Sequence, residues 1–155
     1  MTSRSLAHAI LLALAALAAA CASAPKPTLV AATVTTSADA NADTSGRASP
    51  LLVRVFELSN RAAFEAADYV SLFEREKPAL GAEMIAVDEW ILAPQEQRML
   101  QRKLAPDARF IGVVAAYRDI ERAHWRAVVP VQPQATNTVT VRAGALAVTA
   151  TTTPR

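Results

Sequence analysis

The chain has 155 residues, with 16 basic and 14 acidic side chains, a formal net charge of +2 and a single cysteine. This near balance, without a basic stripe interleaved with aromatic residues, argues against nucleic acid as a partner. One cysteine excludes an intramolecular disulfide, four glycines without phosphate-loop spacing exclude a nucleotide motif, and the length predicts one domain.

The N-terminal segment predicts export from the cytoplasm. Residues 1–20 carry Arg4 as their only charge, followed by the apolar run Ala9 to Ala20. This run is shorter than the about 20 residues that a membrane-spanning helix needs. A basic start, a short apolar core and small residues at its end predict a secretory signal peptide at residues 1–20. An N-terminal anchor helix that stays attached is the alternative.

Cys21 directly follows the predicted cleavage point. The preceding Leu17-Ala18-Ala19-Ala20 resembles a bacterial lipobox, although Ala18 stands where leucine is usual. The resemblance implies lipidation of Cys21 with acyl chains such as palmitate, and Ala22 implies sorting to the outer membrane. Several acyl chains on one residue give stable anchoring. Residues 21–27, small and proline-containing, are then expected to form a lipidated tether.

The remaining chain predicts short strands separated by turn residues. The most distinctive is Arg109–Arg118, which is apolar at odd and even positions and therefore predicts a strand buried on both faces. A helix competes there, but Gly112 would cost its interior about 1 kcal/mol. The predicted strands are 28–36, 51–58, 84–92, 96–104, 109–118, 125–131, 137–142 and 145–151, and 96–104 could also be a helix. Their regular spacing predicts an all-β sandwich.

Residues 51–58 carry apolar side chains on both faces, so each face should be covered. We expect a second sheet on one face and a short helical insertion, at about residues 60–77, on the other. Asp68 can start a second short helix within the insertion. Pro78 and Gly81 are expected to end the helical region.

Two polar segments are candidates for binding a partner. Residues 37–50 form a loop longer than the about 12 residues usual in compact domains. We expect it to be too polar to bury, with exposed Asn41, Asp43 and Arg47 contacting the partner. The second candidate is the polar turn 119–124, through Asp119 and Arg122, because binding residues concentrate on loops of rigid scaffolds.

Three stretches resemble one known family. Gly46–Leu58 is similar to its G-R-x-S-P segment and following strand, Phe64–Tyr69 to its F-x-x-A-D-aromatic segment, and Arg109–Arg126 to its G-V-x-A-x-Y-R strand with the later W-R. Gln95 departs from it, because glycine is frequent there. The chain thus resembles the outer-membrane lipoproteins of the type VI secretion system (TssJ/VasD/SciN-like).

The resemblance implies a transthyretin-like two-sheet β-sandwich with a short helical addition, occupying residues 28–155. It also implies a periplasm-facing structural subunit that is anchored in the outer membrane. Its expected partner is the large inner-membrane subunit of the secretion complex (TssM/IcmF-like), which it would bind through exposed loops.

Evidence for an enzyme is sparse in the sequence. His124 is the only histidine outside the predicted signal peptide, and no His/Cys cluster has zinc-binding spacing. Asp88 and Glu89 are adjacent in a predicted strand, so they should point to opposite faces and form a poor catalytic pair. The sequence therefore predicts no catalytic residue, metal, cofactor or small-molecule substrate.

A periplasmic glycan- or peptidoglycan-binding lipoprotein is the alternative function, since aromatic side chains can stack on sugars. The candidates are Trp90, Trp125, Phe64, Tyr69 and Tyr117. Trp125 and Tyr117 have apolar neighbours, which favours a place in the core. Trp90 lies next to two acidic residues, and its exposure stays open.

Overall fold

A computed structural model describes residues 25–155. The predicted signal peptide and Cys21 lie outside the described residues. The strands are β1 (Leu29–Thr36), β2 (Leu51–Leu58), β3 (Met84–Leu92), β4 (Gln97–Lys103), β5 (Phe110–Ala115), β6 (Arg126–Pro130), β7 (Thr136–Ala143) and β8 (Val148–Pro154). The helices are α1 (Ala62–Ala66), α2 (Tyr69–Glu74) and α3 (Glu76–Leu80), followed by a 3-10 turn at Gly81–Glu83. None of these helices is long and apolar enough to cross a membrane.

The strands form two four-stranded sheets. One has the order β4-β1-β7-β8 and the other the order β3-β2-β5-β6. Neighbouring strands are antiparallel, except that β1 and β7 run parallel. The ambiguous segment 96–104 is a strand, because β4 pairs with β1 along its length. The predicted all-β, two-sheet sandwich is confirmed.

The main core lies between the two sheets. Side chains alternate between the faces of a strand, and β1 accordingly buries Val30, Ala32 and Val34 while the residues between them are more exposed. The corresponding residues of β7 are Val139 and Val141, which are also fully buried. Burial of each valine or leucine side chain stabilises the fold by about 1.5–3 kcal/mol.

A second core lies between the outer face of the β2–β5 pair and the helices. Its buried members are Phe56, Leu58, Phe64, Leu72, Leu80 and Val114. The helices pack so closely that a Cβ on Gly112 would lie 2.9 Å from the ring of Phe64. Both faces of β2 and β5 are therefore covered, as their apolar residues predict.

Two arginines of the sheet bind the helical segment through its backbone. Arg126 Nη1 donates to the carbonyl oxygens of Phe64, at 3.2 Å, and Ala67, at 2.8 Å. Arg54 Nη1 donates to the carbonyl oxygen of Phe73 at 2.8 Å. The last carbonyl groups of a helix have no partner within it. The arginines supply the missing donors and hold the short helices against the sheet.

The helical segment extends beyond the predicted residue 77. Pro78 lies inside α3 and does not end it, because a proline in the first turn needs no N–H partner. The helix continues to Leu80 and ends at Gly81, whose φ of 53° suits glycine. The expectation for Asp68 is confirmed, since its side chain accepts a hydrogen bond from Ser71 N at 2.8 Å at the start of α2.

The last strand starts later than predicted. β8 begins at Val148 and not at residue 145. Gly144 N donates to the carbonyl oxygen of Ala147 at 2.8 Å, which closes a turn over these residues. Leu146 consequently lies in a turn between β7 and β8.

The loops of the sandwich gather at two opposite poles. The start of β1 lies at the pole that we call the tether pole, together with the loops 104–109 and 131–135. The end of β1 lies at the distal pole. There, the loop 37–50 meets the turns 93–96, 116–125 and 144–147 through backbone and side-chain hydrogen bonds.

Candidate functional site

A cleft of about 610 Å³ opens at the distal pole. It is lined by residues 42–44, 118–122 and 145–146. These segments come from the loop after β1, the turn after β5 and the turn before β8. The structure thus brings the two candidate segments of the sequence analysis together in one site, which we call the distal cleft.

Asn41 joins the two segments and is not exposed as expected. It is only 4% exposed, because its side chain is hydrogen-bonded at both ends: Oδ1 accepts from Arg118 N at 2.9 Å and Nδ2 donates to the Pro50 carbonyl oxygen at 3.0 Å. A buried polar group with partners is well tolerated. The neighbouring Ala40 and Ser49 are buried too. The base of the loop therefore belongs to the fold, and the expectation that its polar residues stay outside is wrong there.

Asp43 and Arg47 form the tip of the loop. Asp43 Oδ1 accepts from the backbone N–H groups of Ser45, at 2.9 Å, and Arg47, at 3.0 Å, while Oδ2 accepts from Arg47 Nε at 2.8 Å. These hydrogen bonds lower the pKa of Asp43, and the bond from the Arg47 backbone N–H contributes most. The Arg47 side chain is 81% exposed but that of Asp43 only 16%. The carboxylate thus holds the loop and the guanidinium faces the solvent.

Asp119 and Arg122 repeat this arrangement across the cleft. Asp119 Oδ2 accepts from Arg122 Nε at 2.6 Å, and the Arg122 side chain lowers the pKa of Asp119. A backbone bond from Ala123 N to the Asp119 carbonyl oxygen, at 3.0 Å, closes the turn. Arg122 is again the more exposed partner, at 72% against 29%.

Seven further lining residues were not among the named candidates: Ala42, Thr44, Arg118, Ile120, Glu121, Ala145 and Leu146. Arg118 is exposed, and its backbone is fixed by Asn41. Ile120 and Leu146 are half-buried and contribute apolar surface. The sequence signal for Ile120 is that an isoleucine stands inside the polar turn 119–124. No signal distinguishes Leu146, because the apolar alternation around it predicts a strand.

The aromatic residues do not form one open platform. Phe64 and Tyr117 are buried, and burial raises the pKa of Tyr117. Trp125 packs edge-on against Tyr69, with ring centroids 5.4 Å apart, beside the helices. Trp90 is half-buried on the other side of its sheet, against the main core. The aromatic side chains therefore pack in different parts of the domain and do not together form a surface on which a sugar could stack.

The other candidate catalytic groups lie in ion pairs or on the surface. Asp88 pairs with Arg102 at 2.8 Å, and Glu89 pairs with Arg54 at 2.6 Å on the opposite face of the sheet. His124 is exposed, and its backbone bridges to the turn before β8. Within the described part of the chain, no three His, Cys, Asp or Glu side chains are grouped so as to hold a metal ion.

Comparison with known proteins adds independent information. Residues 28–146 match the model of the type VI secretion lipoprotein family, described by the names VasD, EvfM and TssJ. No sequence among the curated proteins matches the chain. The crystal structure of the lipoprotein TssJ1 from Pseudomonas aeruginosa is 36% identical, with a TM-score of 0.79, and the match covers 83% of this chain and 98% of that one.

Two further structures are similar. Serratia marcescens Lip, described as a membrane-bound component of the type VI secretion system, is 25% identical with a TM-score of 0.71, and the match covers 82% of this chain and 96% of that one. A chain in the structure described as the C-terminal domain of TssM from EAEC is 23% identical with a TM-score of 0.61, and the match covers 82% and 98%. The latter similarity concerns the fold alone.

Proposed function

The chain belongs to the type VI secretion lipoprotein family, and we propose that it is a periplasm-facing structural subunit of a type VI secretion membrane complex. Acyl chains on Cys21 anchor it in the outer membrane. The distal cleft binds the large inner-membrane subunit, of the TssM/IcmF type. The protein acts by binding and carries out no catalysis.

The observation that carries this proposal is the position of the cleft relative to the tether. The tether enters the fold at Thr28, immediately before β1, and the loop that lines the cleft leaves the end of β1. Eight strand residues at about 3.3 Å each span roughly 26 Å. An anchor at one end of β1 therefore leaves the cleft at the opposite pole free to meet a partner that crosses the periplasm.

The chemistry of the cleft favours a partner segment with carboxylates around an apolar side chain. Arg118 and Arg122 line the cleft and Arg47 pairs with the lining residue Asp43, and each exposed guanidinium group can bind a carboxylate with two parallel hydrogen bonds. The exposed carboxylate of Glu121 also lines the cleft and can pair with a basic side chain of the partner. Ile120 and Leu146 offer apolar contact between them. Because aspartates already fix both loops, binding loses little loop entropy, and such preorganisation strengthens affinity.

Binding to the periplasmic part of the TssM-type subunit tests the contact. We expect the double variant Arg47→Glu/Arg122→Glu to weaken binding at least tenfold in isothermal titration, about 1.4 kcal/mol. The matched control Lys103→Glu/Arg109→Glu changes the charge equally at the tether pole and should stay within twofold of wild type. Equal loss in both variants, or unchanged binding in the first, would place the contact elsewhere.

A separate experiment tests the anchor. We expect Cys21→Ser to release the protein from the outer-membrane fraction while its circular dichroism spectrum stays that of a folded sandwich. Mass spectrometry of the wild-type protein should show acyl chains on Cys21. An unmodified thiol would falsify the lipidation proposal.

A further inference from the structure

The tether pole is a defined surface of the folded domain. Thr28 ties its segments together: its carbonyl oxygen accepts from Leu104 N at 2.9 Å, and its Oγ1 accepts from Gln134 N at 2.9 Å. The loops 104–109 and 131–135 therefore lie directly beside the point where the tether enters. These loops are therefore the part of the domain nearest to the tether.

Unpaired positive charge marks this surface. Lys26, Lys103 and Arg109 are exposed, and among the described residues none of them has a carboxylate within 4.0 Å. Asp107 is the only acidic residue of the segments 25–28, 104–109 and 131–135. At the distal pole, by contrast, exposed arginines such as Arg47 and Arg122 pair with aspartates. Among the described residues, the tether pole thus carries three exposed cations without a carboxylate partner, and the distal cleft carries one, Arg118.

The basic side chains of the tether pole lie beside exposed apolar surface. Arg109 Nη1 donates to the carbonyl oxygens of Pro106, at 2.9 Å, and Ala108, at 2.7 Å, which holds the guanidinium over its loop. Lys103 lies opposite Leu29 in the β1–β4 pair, and Leu29 is 37% exposed. An ammonium group beside an exposed leucine suits the boundary between headgroups and acyl chains.

We propose that the tether pole binds the anionic phospholipid headgroups of the membrane in which the protein is anchored. The proposal rests on lipidation of Cys21, because the seven residues from Cys21 to Thr28 reach at most about 25 Å. That short leash keeps the cations near the membrane, where charge attraction acts over about 8 Å at physiological ionic strength. The contact sets the domain upright and directs the distal cleft away from the membrane.

The test separates headgroup binding from the acyl anchor. It uses the chain from residue 21 onward with Cys21→Ser, whose core residues all lie between Val30 and Val148. Flotation with vesicles of 30% phosphatidylglycerol in phosphatidylcholine should show binding. Pure phosphatidylcholine vesicles, or 0.5 M sodium chloride, should abolish it. Binding that is equal for both lipid compositions would overturn the proposal.

Two variants of equal charge locate the binding surface. A basic residue near an anionic membrane contributes about fivefold in affinity, so Lys26→Gln/Lys103→Gln/Arg109→Gln should weaken binding at least twentyfold. The control Arg47→Gln/Arg118→Gln/Arg122→Gln removes the same charge at the distal pole and should stay within threefold. Equal loss in the two variants would overturn the proposal, since net charge alone would then explain binding.

The outcome is independent of the anchor experiment. If wild-type Cys21 proves unmodified, the lipid anchor fails as a proposal while the vesicle result with the Cys21→Ser chain still stands. If Cys21 is acylated and the chain ignores phosphatidylglycerol, the anchor stands and the headgroup contact fails. Thermal melts of both triple variants, expected within a few degrees of the parent, show that all chains compared are folded.

Discussion

The backbone N–H of Arg118 donates a hydrogen bond to Oδ1 of Asn41 at 2.9 Å, although 77 residues separate the two in sequence. This bond joins the loop after β1 to the turn after β5. The two polar segments that the sequence offers as separate candidate binding sites are consequently parts of one cleft. A partner that reaches either segment meets both.

The first prediction concerns Asn41. We expect Asn41→Gly to lower the free energy of unfolding by about 1–3 kcal/mol, because it leaves the Arg118 N–H and the Pro50 carbonyl group without their partner. Glycine adopts the φ of 50° found at this position without strain, so the backbone is not the cause. Urea unfolding measures the effect.

Asn41→Asp is the contrasting variant, because it keeps the acceptor for the Arg118 N–H but places a buried carboxylate oxygen against the Pro50 carbonyl oxygen. Its cost at neutral pH should exceed that of the glycine variant, because a buried charge without a donor is expensive. If Asn41→Gly changes the free energy of unfolding by less than about 0.5 kcal/mol, the side chain does not hold the loop.

The second prediction concerns the length of the loop. Asp43 N donates to the Arg47 carbonyl oxygen at 2.9 Å, so residues 43–47 form a small closed tip. Replacing this tip with a tight Asn-Gly turn should leave the thermal melt within a few degrees of wild type, because loop closure entropy changes slowly with length. The same deletion should weaken partner binding at least tenfold.

Deleting residues 37–49 is the contrasting variant, since it also removes the buried Ala40 and Asn41. It should destabilise the domain markedly more than the deletion of the tip. Equal melts for the two deletions would mean that the base of the loop contributes nothing to the fold.

The third prediction concerns pH. The pKa values of Asp43 and Asp119 lie below their ordinary value of 3.8 in the folded chain. A lowered pKa favours the ionised form, so the stabilisation is fully present above about pH 3.8 and is lost as the pH falls through the lower folded values. Carboxyl NMR titration should therefore show both midpoints below 3.8, with both loops intact at neutral and mildly acidic pH.

The two aspartates should respond differently to loss of their arginines. The Arg122 side chain is the first cause of the lowered pKa of Asp119, whereas the Arg47 backbone N–H is the first cause for Asp43. Arg122→Gln should thus raise the Asp119 midpoint towards 3.8 more than Arg47→Gln raises that of Asp43. The reverse order would contradict the hydrogen bonds described for the two loops.

The fourth prediction concerns the contact between sheet and helices. We expect Gly112→Ala to lower the free energy of unfolding by about 1–3 kcal/mol, because the new methyl group would lie 2.9 Å from Phe64 and 3.0 Å from Leu58. Urea unfolding of a double-mutant cycle with Phe64→Leu measures the coupling. The smaller side chain should recover part of the loss. Additive effects of the two substitutions would show that they do not meet.

Much of the fold follows from local pattern. The alternation of Val30, Ala32 and Val34 and the doubly buried β5 predict the sandwich, because strand geometry ties every second residue to one face. The family resemblance, confirmed by the match over residues 28–146, adds what periodicity does not carry.

One error in the prediction arises from a distant residue, and two arise at the ends of local elements. The polar composition of the loop predicts an exposed Asn41, yet its side chain is buried against Arg118 in the turn after β5. Leu146 continued an apolar alternation, but the bond between Gly144 and Ala147 turns the chain there. Pro78 predicts a helix end, but in the first turn of α3 a proline is compatible with the helix. Local propensity cannot report the tertiary contact of Asn41, whereas the other two errors concern the bounds of local elements, which patterns predict least well.

The location of β1 in the middle of its sheet has a mechanical consequence. β1 lies between β4 and β7, and it is the strand that the tether enters. Inter-strand hydrogen bonds run across the strands, so tension drawn through the tether along β1 would load two ladders in shear, and their bonds would have to break together. An edge strand, by contrast, is held by one ladder only, so fewer hydrogen bonds would resist the same tension. Attachment through β1 thus gives the domain an attachment point that resists force better than an edge strand would.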